Sequence, residues 1–124
     1  MTAVDPDLQK FLTENSFEKR QSVVQNILTR YPERVPVIIS RGDLKHTPSI
    51  SKYKYLVPND LMFGKFTFEL RTNMAKIDSS MALFFFLKNN TLIPSTAFMS
   101  SLYNKHKSED GFLYITYSSE NTFG

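Results

Sequence analysis

From Ser16 onward, Phe17, Val23 or Val24, Ile27 and Leu28 recur at helical spacing. They predict a helix ending near Arg30, because Tyr31 precedes Pro32 and is pushed out of the helical region. Asp7 can cap a shorter helix before it, from Leu8 to Glu14. The pattern then changes to strands. Val35 to Ser40 is β-branched and apolar, with Pro36 marking an edge or a strand end. Arg41 to Ser51 carries Gly42, Asp43 and Pro48 and reads as a turn or loop. Lys52 to Val57 alternates Lys52, Lys54 and Leu56 with Tyr53, Tyr55 and Val57, a half-buried strand.

The stretch after Pro58 fits two periods. Phe66, Phe68 and Leu70 alternate as in a strand, whereas Met62 or Phe63, Phe66, Leu70 and Met74 fit a helix. A cap at Asn59 or Asp60 and the need for a crossover favour the helix. Ala82 to Leu87 is a continuous apolar run expected as the central strand. Asn89 and Asn90 make a turn, and Leu92 with Ile93 a very short strand. Ser95 or Thr96 can cap a helix to about Lys105, burying Phe98 and Leu102, with Met99 a further candidate. Phe112 to Tyr117 is the last strand, and Ser118 to Gly124 has no reason to fold. Without the first two helices the order is strand, strand, helix, strand, short strand, helix, strand. That is the order of a ubiquitin-like β-grasp, so the expected class is α+β with two additional N-terminal helices.

Composition narrows the chemistry. A chain of 124 residues makes one domain. Eleven Phe and no Trp predict a Phe-rich core. Without Cys there is no disulfide, no thiolate zinc site and no cysteine nucleophile, so a thiol in any thioester step must come from a partner. The first ten residues hold two Asp and no apolar run, which argues against a secretory signal. Met81 to Leu87 is far short of the ~20 residues a spanning helix needs. Up to Pro58 there are nine Lys or Arg against six Asp or Glu; from Asn59 on there are six of each. That bias suits acidic peptides. Nucleic acid is not expected, because no basic run interleaves with aromatics. His46 and His106 are too isolated for a metal site, and no cofactor is expected. The Arg41-Gly42-Asp43 triplet and the Asn89-Asn90-Thr91 sequon lack a secretory context. Glu109 and Asp110 read as solvated residues on a turn. No nucleophile–base pair or phosphate-cradling loop appears, so an enzyme is not expected.

Six runs carry a resemblance: SFEKR (Ser16 to Arg20), RYPERVPVII (Arg30 to Ile39), KYLVPNDL (Lys54 to Leu61), GKF (Gly64 to Phe66), ALFFFL (Ala82 to Leu87) and SEDGFLYITYSSENTFG (Ser108 to Gly124). In this order and at this spacing they resemble the autophagy ubiquitin-like modifiers of the GABARAP type. The resemblance implies residues 1–15 as an N-terminal extension with a short helix, 16–117 as the ubiquitin-like domain and 118–124 as a flexible conjugation tail. It implies activation of Gly124 by an E1-like enzyme, thioester transfer to an E2-like enzyme, and attachment to the amine of phosphatidylethanolamine. Phe123 would help enzymes grip the tail. A free Gly124 carboxylate would need no protease before activation, while a deconjugating cysteine protease would release the lipid form. Two acyl chains, at ~0.8 kcal/mol per buried methylene, would anchor it stably. The expected locations are the cytoplasm and, once lipid-conjugated, the autophagosome membrane.

The resemblance further implies a groove for peptides with an aromatic residue followed three positions later by an aliphatic one, paired beside Lys52 to Val57. Cargo receptors would supply such motifs. Ile27, Pro36, Ile38, Lys54, Leu56 and Phe112 would form the aromatic pocket. Tyr55, Val57, Pro58, Leu61, Phe66 and Leu70 would form the aliphatic one. Arg34, Lys52, Lys54 and Arg71 would meet acidic flanks. For Ile27, Val57, Phe66 and Leu70, plain core packing is the rival reading. Val23 and Glu69 depart from the family, which generally has an acidic residue at the first position and an aliphatic one at the second. The loop Arg41 to Ser51 also departs. An unconjugated adaptor for trafficking or cytoskeletal partners, using the same groove, is the alternative function.

Overall fold

The computed structural model describes residues 4–75, 77–78 and 80–119. Helix α1 (Pro6–Glu14) is capped by Asp5 rather than Asp7: its Oδ1 accepts from the Asp7 N–H at 3.0 Å. Pro6 sits at the first helical position, where its missing donor costs nothing. The other Asp5 oxygen accepts from Arg41 N at 2.7 Å, so the cap also fastens α1 to the sheet. Helix α2 (Phe17–Arg30) starts at Ser16, whose hydroxyl accepts from Lys19 N, and ends at Tyr31 before Pro32.

Strands β1 (Arg34–Arg41), β2 (Lys54–Pro58), β3 (Phe84–Phe86) and β4 (Leu113–Ser118) form one sheet in the order β2-β1-β4-β3. β1 pairs antiparallel to β2 and parallel to β4, and β3 pairs antiparallel to β4. The apolar run at Ala82 to Leu87 is therefore an edge strand, not the central one. Its length misleads because Phe85 and Leu87 face the main core while Phe86 is covered from the other side. Pro36 lies in an interior strand. Ile39 N donates to Tyr53 O, so by alternation the nitrogen of Pro36 faces β4, where pairing begins only at Val37.

Helices α3 (Phe63–Thr72) and α4 (Met99–His106) cover one face. Phe63, Phe66, Leu70, Met99, Leu102 and Tyr103 pack there with Val37, Ile39, Leu113 and Ile115. This is the Phe-rich main core of a ubiquitin-like α+β fold. The expected caps do not form. α3 begins after Met62 and α4 after Phe98, neither with a side-chain cap bond. Backbone contacts replace them: Phe63 N donates to Ala97 O and Met99 N to Leu61 O, tying the two helix starts together. Phe98 is therefore exposed and Met99 takes the buried position. Asn90 adopts φ 64° in the expected turn, and Leu92 makes a single bridge to Phe86.

The opposite sheet face is covered by α1 and α2. Phe11, Val24, Ile38, Phe112 and Tyr114 form a second, smaller core. Its polar centre is Asp110, which is buried at 4% exposure, not solvated. Asp110 accepts from Arg20 Nε, Phe112 N and the Tyr114 hydroxyl, and Arg20 Nη1 also donates to Asn15 O. The sequence shows only an acid on a turn; its partner lies ninety positions away.

At the C-terminal end, Ser118 belongs to β4 and Ser119 is held by the loop after β1. Gly124 and Phe123 lie outside the described residues. Among the described residues no helix is long and apolar enough to cross a membrane, and no side-chain cluster suits a metal ion.

Candidate functional site

β2 has a strand neighbour on one side only, so the backbone groups on its outer edge lie outside the sheet's ladder. A cavity of about 510 Å³ opens along that edge. On the α2 side its wall is Val23, Ile27, Phe11 and Phe112. Leu56 and Lys54 of β2 line it, and Tyr55, Lys52 and Glu69 carry it toward α3. The cavity thus straddles the strand edge, because alternate side chains of β2 leave on opposite faces.

The apolar end is built from aromatic edges. Phe11 meets Phe112 at 5.6 Å between centroids and 87°, and Tyr53 at 6.1 Å and 71°. Lys54 is exposed, with Nζ 5.5 Å from the Phe11 ring centroid and 5.6 Å from that of Tyr53. The ring faces hold its stem while the charge stays in water. Lys52 does the same over Tyr55 at 5.0 Å. Arg34 also borders the cavity, with Nη1 donating to Leu56 O at 3.1 Å.

Of the expected aromatic-pocket residues, Ile27, Lys54, Leu56 and Phe112 meet at this cavity. Ile38 and Pro36 lie fully buried in β1. Of the expected aliphatic pocket, Tyr55 reaches the cavity. Val57, Phe66 and Leu70 are packed in the main core at 2%, 1% and 0% exposure. Leu61 and Pro58 are half-buried, Leu61 against that core. Arg71 is engaged elsewhere: its Nη2 donates to Met81 O at 2.8 Å and Asp78 O at 3.3 Å.

Sequence reasoning missed Phe11, Asn15 and Arg20 as cavity residues. The available signal was the spacing of Leu8 and Phe11 on one face of α1. Tyr55 has a raised phenol pKa, chiefly through burial, with the hydrogen bond from Asn73 opposing and the charge of Glu69 adding to it. Its hydroxyl donates to Lys52 O at 2.6 Å and accepts from Asn73 Nδ2 at 3.0 Å. These bonds pin the ring that floors the α3 end of the cavity.

The model of the family described as "Autophagy protein Atg8 ubiquitin like" matches residues 19–124. Autophagy-related protein 8 of Dictyostelium discoideum is 44% identical over 117 residues, 94% of this chain and 95% of that protein. Its counterpart in Schizosaccharomyces pombe is 48% identical over 115 residues, 93% of each chain. Among solved structures, Trypanosoma brucei ATG8 superposes with a TM-score of 0.80 at 39% identity, covering 93% of this chain and 97% of that one. Plasmodium falciparum Atg8, in complex with a Plasmodium falciparum Atg3 peptide, gives 0.76 at 36% identity, covering 88% and 94%. Members are ubiquitin-like modifiers and not enzymes. The β-grasp sheet, the two added helices and these matches together show that the chain belongs to the Atg8 family of autophagy-related ubiquitin-like proteins.

Proposed function

We propose that this chain is conjugated through Gly124 to phosphatidylethanolamine and then displays the β2 edge to partner peptides on the autophagosome membrane. The observation that carries the groove is the cavity itself: an apolar end lined by Phe11, Ile27, Leu56 and Phe112, bordered by Lys52, Lys54 and Arg34. An acidic peptide anchored by an aromatic side chain suits it. Backbone pairing along β2 supplies affinity and the cavity supplies selection. The basic border raises the encounter rate with acidic flanks.

The conjugation half rests on the C-terminal run ending Phe123-Gly124 within the matched family segment. A terminal Gly presents a carboxylate without Cβ obstruction, which suits transfer between active-site thiols. With no Cys of its own, the chain is carried through those steps by E1-like and E2-like partners. The Atg3 peptide bound by the Plasmodium relative supports an E2-like partner. A cysteine protease would return the lipid form to the cytoplasm.

Two measurements test this. The intact mass after incubation with conjugation enzymes and phosphatidylethanolamine vesicles should rise by one lipid, and Gly124→Ala should abolish the rise. An unchanged mass for the native chain removes the conjugation half and leaves an adaptor. The combined Lys54→Ala and Leu56→Ala variant should lose binding to an acidic aromatic peptide; retained affinity removes the groove.

A further inference from the structure

The two ends of the cavity differ in chemistry. At the α2 end, Phe11, Ile27 and Phe112 present apolar surface. At the α3 end, Val57, Phe66 and Leu70 are consumed by the main core, and the side chain from α3 that reaches the cavity is Glu69. Glu69 is exposed and makes no ion pair among the described residues. The cations that line the same cavity have other contacts. Lys52 lies over the Tyr55 ring, Lys54 over Phe11 and Tyr53, Arg34 donates to Leu56 O, and Arg20 is bound to Asp110. Glu69 and Tyr55 line the same cavity, and the carboxylate charge adds to the raised pKa of the Tyr55 phenol.

A strand paired to the β2 edge sends residues at odd separations to opposite faces. An aromatic side chain turned into the α2 end therefore puts the residue three positions later on the α3 side, where Glu69 stands. An aliphatic side chain there would find a carboxylate in place of a pocket. A lysine or arginine would find a counter-charge, a phenol ring and the apolar stem of Lys52.

We propose that the groove of this chain selects extended peptides with a basic residue three positions after the aromatic anchor, held by Glu69. The inference rests on the groove reading above and specifies its ligand. The acidic flank still meets Lys52, Lys54 and Arg34, so the preferred segment carries both signs in a fixed order.

The test uses two fluorescently labelled peptides with the same acidic flank and aromatic anchor, carrying Leu in one and Lys in the other at the third position after it. The native chain should bind the Lys peptide roughly threefold more tightly, the range of a solvent-exposed ion pair. Glu69→Leu should reverse that order, and Glu69→Gln should abolish the preference. Because Glu69 is exposed, neither variant threatens the fold. A native preference for the Leu peptide, or a Lys preference unchanged in Glu69→Leu, overturns the proposal while leaving the groove standing. Failure of both peptides to bind overturns the groove and this inference with it.

Discussion

Arg20 Nε lies 2.9 Å from Asp110 Oδ2, joining the start of α2 to the turn before β4, ninety positions on. Both side chains are withdrawn from water, at 15% and 4% exposure. Asp110 also receives Phe112 N at 2.9 Å and the Tyr114 hydroxyl. Its charge is therefore met from three elements. Removing Arg20 leaves a buried carboxylate short of its cation; removing Asp110 leaves a guanidinium, a phenol and an amide without their acceptor. Asp110→Ala is expected to cost about 3–5 kcal/mol, as for other broken buried pairs. Arg20→Ala should cost a large part of the same free energy. Chemical denaturation of the two single variants and the double variant checks this. The double should cost clearly less than the sum, since the two residues act on one network. Additive losses would mean that the pair contributes little as a pair.

The buried tyrosines set an alkaline limit. Tyr114 and Tyr117 both have phenol pKa values raised well above 10.0, in each case chiefly by burial. For Tyr114 the hydrogen bond to Asp110 and its charge push further in the same direction, against Arg20. Tyr55 and Tyr103 shift the same way. The neutral phenol is thus the form the fold favours. Below the unfolded value both states hold the proton and the stabilisation is complete. Above it the unfolded chain releases protons that the folded chain keeps, so stability falls as pH rises. Denaturation midpoints should be flat between about pH 8 and 9 and decline beyond about 10. Tyr117→Phe should flatten that decline. At neutral pH it should lose about 1 kcal/mol, for the bond from the hydroxyl to Pro48 O. An equally steep alkaline decline in this variant would remove Tyr117 from the account.

Much of this architecture was legible in periodicity. α2, β1, β2 and β4 follow from spacing and flanking residues, because each local preference agrees with its tertiary role. The sequence misleads where a distant segment decides. Ala82 to Leu87 looks central because it is wholly apolar, yet only Phe84–Phe86 joins the sheet, at its margin, and Ala82 is exposed. Asn59 and Ser95 look like caps, yet the starts of α3 and α4 satisfy each other through backbone bonds. Asp110 looks solvated until Arg20 arrives from another helix. At the cavity, Lys54 is exposed, since a Lys among apolar strand residues has little use in a core. Phe66 and Leu70 were ambiguous, since core and pocket floor ask for the same side chains.

Gly111 adopts φ +95° in the turn that carries Asp110 to β4. A Cβ there would lie 2.6 Å from Cγ1 of Val24, closer than side-chain atoms approach. The turn is pressed against α2 because Val24 is itself buried beneath it. Gly111→Ala combines a disfavoured backbone with a clash, and is expected to destabilise by about 2 kcal/mol or more. Val24→Ala, which truncates a buried side chain, should cost less in the Gly111→Ala background than in the native chain, because it relieves the clash while the backbone term stays. The thermal midpoint of the three variants reads this directly. Losses that simply add in the double variant would assign the whole cost to the backbone.

The loop after β1 grips the end of β4. Thr47 is buried, and its Oγ1 accepts from Ser119 N at 3.1 Å. Ser119 Oγ donates to His46 O at 2.9 Å, and Gly42 N donates to Tyr117 O at 2.7 Å. Arg41 Nη1 holds the Thr47 carbonyl at 3.1 Å, so the clasp is fixed to β1 as well. Thr47→Val keeps the volume and removes the acceptor. It should cost about 1 kcal/mol, the usual worth of such a bond. The loss should also be local. Amide exchange at Ser119 should speed up, while Ile115, deep in β4, keeps its protection, because opening the strand end need not unfold the core. Unchanged exchange at Ser119 would mean that the backbone bonds of the strand, and not the Thr47 hydroxyl, hold it.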